Sequence, residues 1–193
     1  MHEEHGMAEL CLGLDAATRR ARQEKEDKLR ALLDGAMRQR PMKESGAALD
    51  SLAAHRLLFP GLSPNEVHQR REAYGAVKWT DAALKAALAA SPLVEIGAGR
   101  GQWQKELTRR GADVVAFDDM SSPNTRLGFV GTVAKGSEEA ASMFSDRSLL
   151  MVYPNPGPMA QRCLEYYKGD TIVYVGEGRG GVNGNEAFFD QLA

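Results

Sequence analysis

The stretch Leu93 to Trp103, LVEIGAGRGQW, gathers the residues best suited to grip a ligand. An apolar run, Leu93–Ile96, leads into Gly97-Ala98-Gly99-Arg100-Gly101, and a helix-forming segment starts at Gln102. Glycine turns the chain sharply after a strand and lets a ligand approach the main chain without meeting a Cβ. The helix that follows offers its free N–H groups and the positive end of its dipole to a carboxylate or phosphate. Glu95 stands two residues before the first glycine. A second acid, Asp118, ends GADVVAFDD. An acid about 20 residues past a glycine loop sits at the tip of the second strand, where ribose hydroxyls can donate to it. The dinucleotide pattern GxGxxG is not met, because Gln102 occupies its last position, which needs Gly or Ala for close helix–strand packing. A nicotinamide oxidoreductase is disfavoured on that ground.

Other candidates carry less. Tyr153-Pro154-Asn155-Pro156 follows a strand-like run and reads as a rigid proline turn. GEGRGGVNGN, residues 176–185, would open beside them with Glu177 and Arg179, and its composition reads as a mobile surface loop. His2 and His5 flank two glutamates without metal-site spacing, and His55 and His68 stand alone. Cys11 and Cys163 form no CxxC, and Cys163 falls on a helical stretch as a core residue. No metal site is expected, and no residue stands out as a catalytic base.

These residues need a scaffold. Strands are predicted at Leu93–Ile96, Val114–Phe117, Phe129–Val133, Leu149–Tyr153 and Thr171–Val175. Helices are predicted at Gln102–Arg110 with Gly111 as its stop, from Glu138 behind Ser137, at Met159–Tyr167, and after Asn185. Strands alternating with helices imply a mostly parallel α/β sheet covered on both faces, with its crevice at the carboxyl ends of the strands. Upstream, Ser63-Pro64-Asn65-Glu66 reads as a capping box. Thr80 and Asp81 open an alanine-rich helix that Ser91-Pro92 closes. Asp15 to Arg40 has apolar residues on one helical face and is stopped by Pro41. The expected division is a helical extension, 1–73, and an α/β domain, 74–193.

The 193 residues suit one ordinary domain plus an appendage. Lys and Arg number 24 against 26 Asp and Glu, so the net charge of −2 gives no global pull toward nucleic acid or acidic lipid. Two unpatterned cysteines point to a reducing intracellular compartment, the cytoplasm. No apolar run approaches a membrane span. The start, MHEEHGMAEL, lacks the basic and apolar blocks of a signal peptide, and its acids argue against a transit peptide.

The GxGxG run, with Glu95 before it and Asp118 at the next strand's tip, resembles motif I and the ribose-binding acid of the Rossmann-like (class I) S-adenosylmethionine-dependent methyltransferases. Tyr74 to Leu84, YGAVKWTDAAL, is similar to the segment preceding motif I in a poorly characterised methyltransferase-like group. The resemblance implies a doubly wound Rossmann-like sheet carrying an N-terminal helical extension. It implies S-adenosyl-L-methionine as cofactor, held by Glu95, Gly97, Ala98, Gly99, Gly101 and Asp118, with Asp119 and Met120 beside the adenine edge. Tyr74 and Trp79 would form a lid, unless they are core aromatics. The loop after the fourth strand loosely resembles the Asn-Pro-Pro-aromatic loop of amino-group methyltransferases, which makes Asn155 and Tyr153 the acceptor-contact candidates. Three departures matter. The order in this loop differs. The stretch after the third strand is VAKGSEE, where Ser137 or backbone would serve the adenine. The family sheet has seven strands and about five are expected here, so the C-terminal strands look missing. Another chain or the early helices would then cover the edge. The implied function is methyl transfer to an unidentified acceptor; the alternative is a non-catalytic methyltransferase-like subunit docking through its N-terminal helices. A protein partner or a homo-oligomer would complete the sheet.

Overall fold

The computed structural model describes Arg20, Glu24 and residues 59–192. Of the helix expected at Asp15–Arg40, Arg20 and Glu24 are described and helical, and its other residues, with His2, His5, Cys11 and His55, lie outside the described residues. The chain divides into two compact units between Glu72 and Ala73. In the first, residues 64–72 form most of α1 (Pro64–Tyr74). Its start is the capping box read from the sequence: Ser63 N donates to Glu66 Oε2 at 2.7 Å, and Glu66 N donates to Ser63 Oγ at 3.2 Å.

In the second unit, α2 (Asp81–Ala89) begins at Thr80, whose Oγ1 accepts from Ala83 N at 3.1 Å. There follow β1 (Leu93–Ile96), α3 (Gln102–Arg109), β2 (Val114–Asp118), a 3₁₀ turn (Pro123–Leu127) and β3 (Ala134–Lys135). A second 3₁₀ segment (Glu138–Met143), β4 (Ser148–Val152), α4 (Met159–Tyr166), β5 (Ile172–Val175) and α5 (Glu186–Gln191) complete it. All strand pairs are parallel, in the order β3-β2-β1-β4-β5. The fold is therefore α/β with a five-stranded parallel sheet flanked by helices, a Rossmann-like layout. The order reverses between β1 and β4, so the crevice of such a sheet opens beyond their carboxyl ends.

β1 is central and fully buried, which explains its near-continuous apolar run. Its side chains alternate between two cores. Val94 and Ile96 pack with Leu149, Met151, Ala160, Cys163 and Phe188. Leu93 joins Leu84, Ala87, Trp103, Leu107 and Leu150 on the opposite face. By the two-residue strand period Glu95 shares the face of Leu93. At the amino ends of the strands Arg147 ties several elements together. Its guanidinium donates to Leu93 O at 3.3 Å and to Asp113 Oδ2 at 2.8 Å. Tyr167 Oη lies 2.7 Å from Arg147 O and 2.9 Å from Thr171 O.

Two expected elements differ. The third strand is Ala134–Lys135 and not Phe129–Val133, because the earlier residues run beside α3: Val130 N and Gly131 N both donate to Arg100 O, and Thr132 N to Gln104 Oε1. The helix expected from Glu138 is a 3₁₀ segment whose Ser137 makes no side-chain cap, since its hydroxyl turns to the Glu139 carboxylate.

Candidate functional site

The loop 97–101 leaves β1 at the centre of the sheet's carboxyl edge. Gly97 N and Ala98 N both donate to Phe117 O, at 2.9 and 3.0 Å, so the loop first curls toward β2. Gly99 N then donates to Asp118 Oδ2 at 2.8 Å, and Met120 N donates to Oδ1 of the same carboxylate at 2.8 Å. Asp118 is thus buried and serves two backbone amides, one from each loop it joins. Each carboxylate oxygen retains capacity for a further donor. The two acids, the glycines and the tip of β2 are brought together as one constellation.

The glycines face different neighbours. A Cβ on Gly97 would collide with the Met159 methyl at the start of α4. One on Gly101 would lie 2.7 Å from Val133 Cγ2 and 3.0 Å from Gly131 Cα. Only Gly99, at φ 58°, has nothing within 4 Å of where its Cβ would be. Gly101 is therefore closed in by the Gly131 main chain and Val133, Gly97 is covered only by the movable end of Met159, and the open room for an approaching ligand is at Gly99.

The first turn of α3 is enclosed from two sides. Residues 101–104 are all buried. Trp103 Nε1 donates to Val77 O at 3.0 Å, and a Cβ on Gly75 would sit 3.2 Å from Gln102 Oε1. Tyr74 stands edge-to-face on Trp79 at 4.9 Å, and Trp79 edge-to-face on Trp103 at 6.0 Å. The two aromatics thus pack as a chain onto α3, beside the glycine loop. From the other side come residues 128–132, with Arg100 Nε donating to Gly128 O at 2.6 Å.

Glu95 is the electrostatic anomaly. It is 1% exposed, and its Oε2 has no hydrogen-bond partner among the described residues. Burial, and then the nearby Asp118, push its carboxyl up to about 8, so it holds its proton at neutral pH. Charging such a group requires a cation or donors at its side. Asp119 is exposed, and its Oδ1 accepts from Ser121 N at 2.9 Å, a bond that keeps its carboxyl below the usual range.

Comparison with protein-family models, with curated proteins and with solved structures finds no match. The site must be read from its own geometry.

Among the described residues two non-glycines adopt left-handed backbone, Met120 at φ 62° and Tyr153 at φ 50°. Both sit just beyond the carboxyl ends of strands flanking β1. Such conformations cost on the order of 1–3 kcal/mol and gather at functional sites. Asn155 turns inward on its own loop: its Oδ1 accepts from Gly157 N at 2.9 Å, the arrangement of a side-chain-stabilised turn. Ser137, like Asn155, has its oxygen engaged locally.

Sequence reasoning passed over Asn183. It is 1% exposed, accepts from Glu177 N at 3.0 Å and donates to Pro154 O at 2.9 Å. The expectation of a mobile 176–185 loop misses these ties, for which glycine content gives no signal. Arg179 in that loop pairs with Glu186 and Asp190 of α5, at 2.7 and 2.8 Å. Cys163 is fully buried, and burial raises its thiol to about 12, which suits a core residue. Among the described residues no cluster of His, Cys, Asp and Glu could hold a metal, and no helix is long and apolar enough to cross a membrane.

Proposed function

We propose that the crevice beyond β1, β2 and β4 binds S-adenosyl-L-methionine and directs its methyl group to an acceptor. The observation that carries the reading is the Gly99 N–H bond to Asp118 Oδ2, which locks the glycine loop to the acid at the tip of β2. This leaves one open approach to the main chain, at Gly99. The residues fit the cofactor in two respects. Asp118 keeps acceptor capacity for ribose hydroxyls beside its two amide bonds. The unpaired, buried Glu95 Oε2 is a group that a ligand's ammonium would stabilise in its charged form. When bound, the cofactor supplies a methyl group already activated by its sulfonium. The chain's part is orientation and exclusion of water: Asp118 and Gly99 fix the nucleoside side, Glu95 releases its proton as the cation arrives, and Met120 and Asp119 border the adenine. Met159 rotates off Gly97 if the ligand reaches that far. Tyr153 and Asn155 border the acceptor side.

A second reading, a non-catalytic methyltransferase-like subunit, draws on the acceptor side. There Asn155 Oδ1 is engaged by Gly157 N, and no side chain stands out as a base. Calorimetric titration with S-adenosylhomocysteine, NAD and NADP separates the cases. Binding of the first alone supports the cofactor assignment. Binding of none supports the non-catalytic subunit, and binding of NAD or NADP alone refutes both.

A further inference from the structure

The loops that follow β4 and β5 are joined by one buried side chain. Asn183 Oδ1 accepts from Glu177 N, and its Nδ2 donates to Pro154 O. Only this orientation of the amide satisfies both partners, a donor on one side and a carbonyl on the other. Gly184 N donates to Asn155 O at 3.2 Å, next in line. Val182 N reaches Glu177 Oε2 at 3.2 Å, and Tyr174 Oη donates to Glu177 O at 2.8 Å. The 176–184 segment is therefore folded upon itself and then fastened to the β4 loop.

The fastening falls beside a strained residue. Tyr153 carries φ 50°, an angle that a tyrosine adopts only when its surroundings impose it. On its amino side Tyr153 N donates to Val175 O at 2.6 Å. On its carboxyl side the next carbonyl, of the buried Pro154, is the one that Asn183 holds. Because proline has no N–H, the Tyr153–Pro154 peptide offers no donor of its own, and the chain beyond Tyr153 is held at the next carbonyl, where the side-chain amide takes the part a neighbouring strand would otherwise play.

We propose that Asn183 is a positioning residue, which holds the Pro154 carbonyl and so keeps Tyr153 in its left-handed conformation at the acceptor side of the crevice. Its role at the acceptor side rests on the cofactor reading above; its action on Tyr153 does not. The hydrogen bonds of the Asn183 amide go to Glu177 and Pro154, which are not among the residues assigned to the cofactor. It sets the wall against which an acceptor would lie.

The test is a double-mutant cycle with a spectroscopic probe. Urea unfolding is measured for the full chain, Asn183→Ala, Tyr153→Gly and the double variant. Glycine adopts the left-handed angle without strain, so a residue that enforces that angle matters less once glycine is there. The expected result is that Asn183→Ala lowers the unfolding midpoint at most half as much in the Tyr153→Gly background as in the native one. Equal drops in both backgrounds overturn the proposal and leave Asn183 as a general loop staple. The chain labelled with 3-fluorotyrosine gives a second readout, with the Tyr153 resonance assigned by Tyr153→Phe. Asn183→Ala should shift or broaden that resonance while S-adenosylhomocysteine affinity stays within about twofold. A Tyr153 resonance unchanged by Asn183→Ala also overturns it, and if Asn183→Ala does not fold, Asn183→Ser is read in the same way. Failure of the unmodified chain to bind S-adenosylhomocysteine sinks the cofactor reading alone, because the cycle is scored without ligand.

Discussion

Replacing Glu95 by glutamine should change how the protein's stability depends on pH. The carboxyl has an ordinary value of 4.5 and is raised to about 8 in the folded chain. The folded state therefore binds this proton more tightly than the unfolded state, and stability falls as pH rises from the first value through the second. Between about pH 5 and pH 7 the loss comes to roughly 2–3 kcal/mol, approaching 4–5 above pH 8. For a chain of this size that is about 5–10 °C in Tm over the first interval. Little else among the described residues competes in that window. Glu66, Asp113, Asp119 and Glu139 have lowered carboxyls, whose contribution is complete once they are ionised in both states. Cys163 titrates far above it. Glutamine removes the titration and leaves an amide to be buried, a pH-independent cost of about 1–3 kcal/mol. The two stability curves should cross, with the variant weaker near pH 5 and stronger near pH 8. Urea unfolding across that range measures both. Parallel curves would refute the assignment of a proton to buried Glu95.

Other outcomes follow from the same geometry. Gly99→Ala should cost about 1–2 kcal/mol of stability, because the residue sits at positive φ, and should weaken S-adenosylhomocysteine binding at least tenfold by calorimetry. Affinity that survives this change places the ligand elsewhere. Titration of that ligand at pH 7 in two buffers of different ionisation enthalpy should reveal proton release, which Glu95→Gln should abolish. Arg147→Ala should lower stability by about 1–3 kcal/mol in urea, since two strand-end carbonyls lose a donor, with ligand affinity unchanged. Cys163 should resist iodoacetamide at pH 8 in the folded protein and react on denaturation, because its thiol is pushed up to about 12.

The sheet was legible where local pattern and tertiary role coincide. Leu93–Ile96, as expected, is β1, because a central parallel strand is apolar on both faces and a glycine must follow it. Ser63-Glu66, Thr80 and Asn185 cap helices as read, since a cap is a short-range hydrogen bond. Phe129–Val133 was misleading. Phe129 is exposed and Val133 closes on Gly101 at the start of α3, and a long-range docking leaves no period in the sequence. At the site, Glu95, the glycine loop and Asp118 were visible as types at a spacing. Which glycine faces open space was not, because that depends on Met159 and Gly131, 62 and 30 residues downstream of the glycines they cover. Asn183 was hidden for the same reason: its importance comes from Pro154, on another loop.

The Arg147 guanidinium and the Tyr167 hydroxyl gather the beginnings of β1 and β4 and the residues just ahead of β2 and β5 at the rim opposite the crevice. Fastening and candidate site are thus separated by the length of the strands. Loops at the far rim can be exchanged, lengthened or re-specialised for a different ligand while the foundation holds, so selection can act on the crown without renegotiating the fold beneath it.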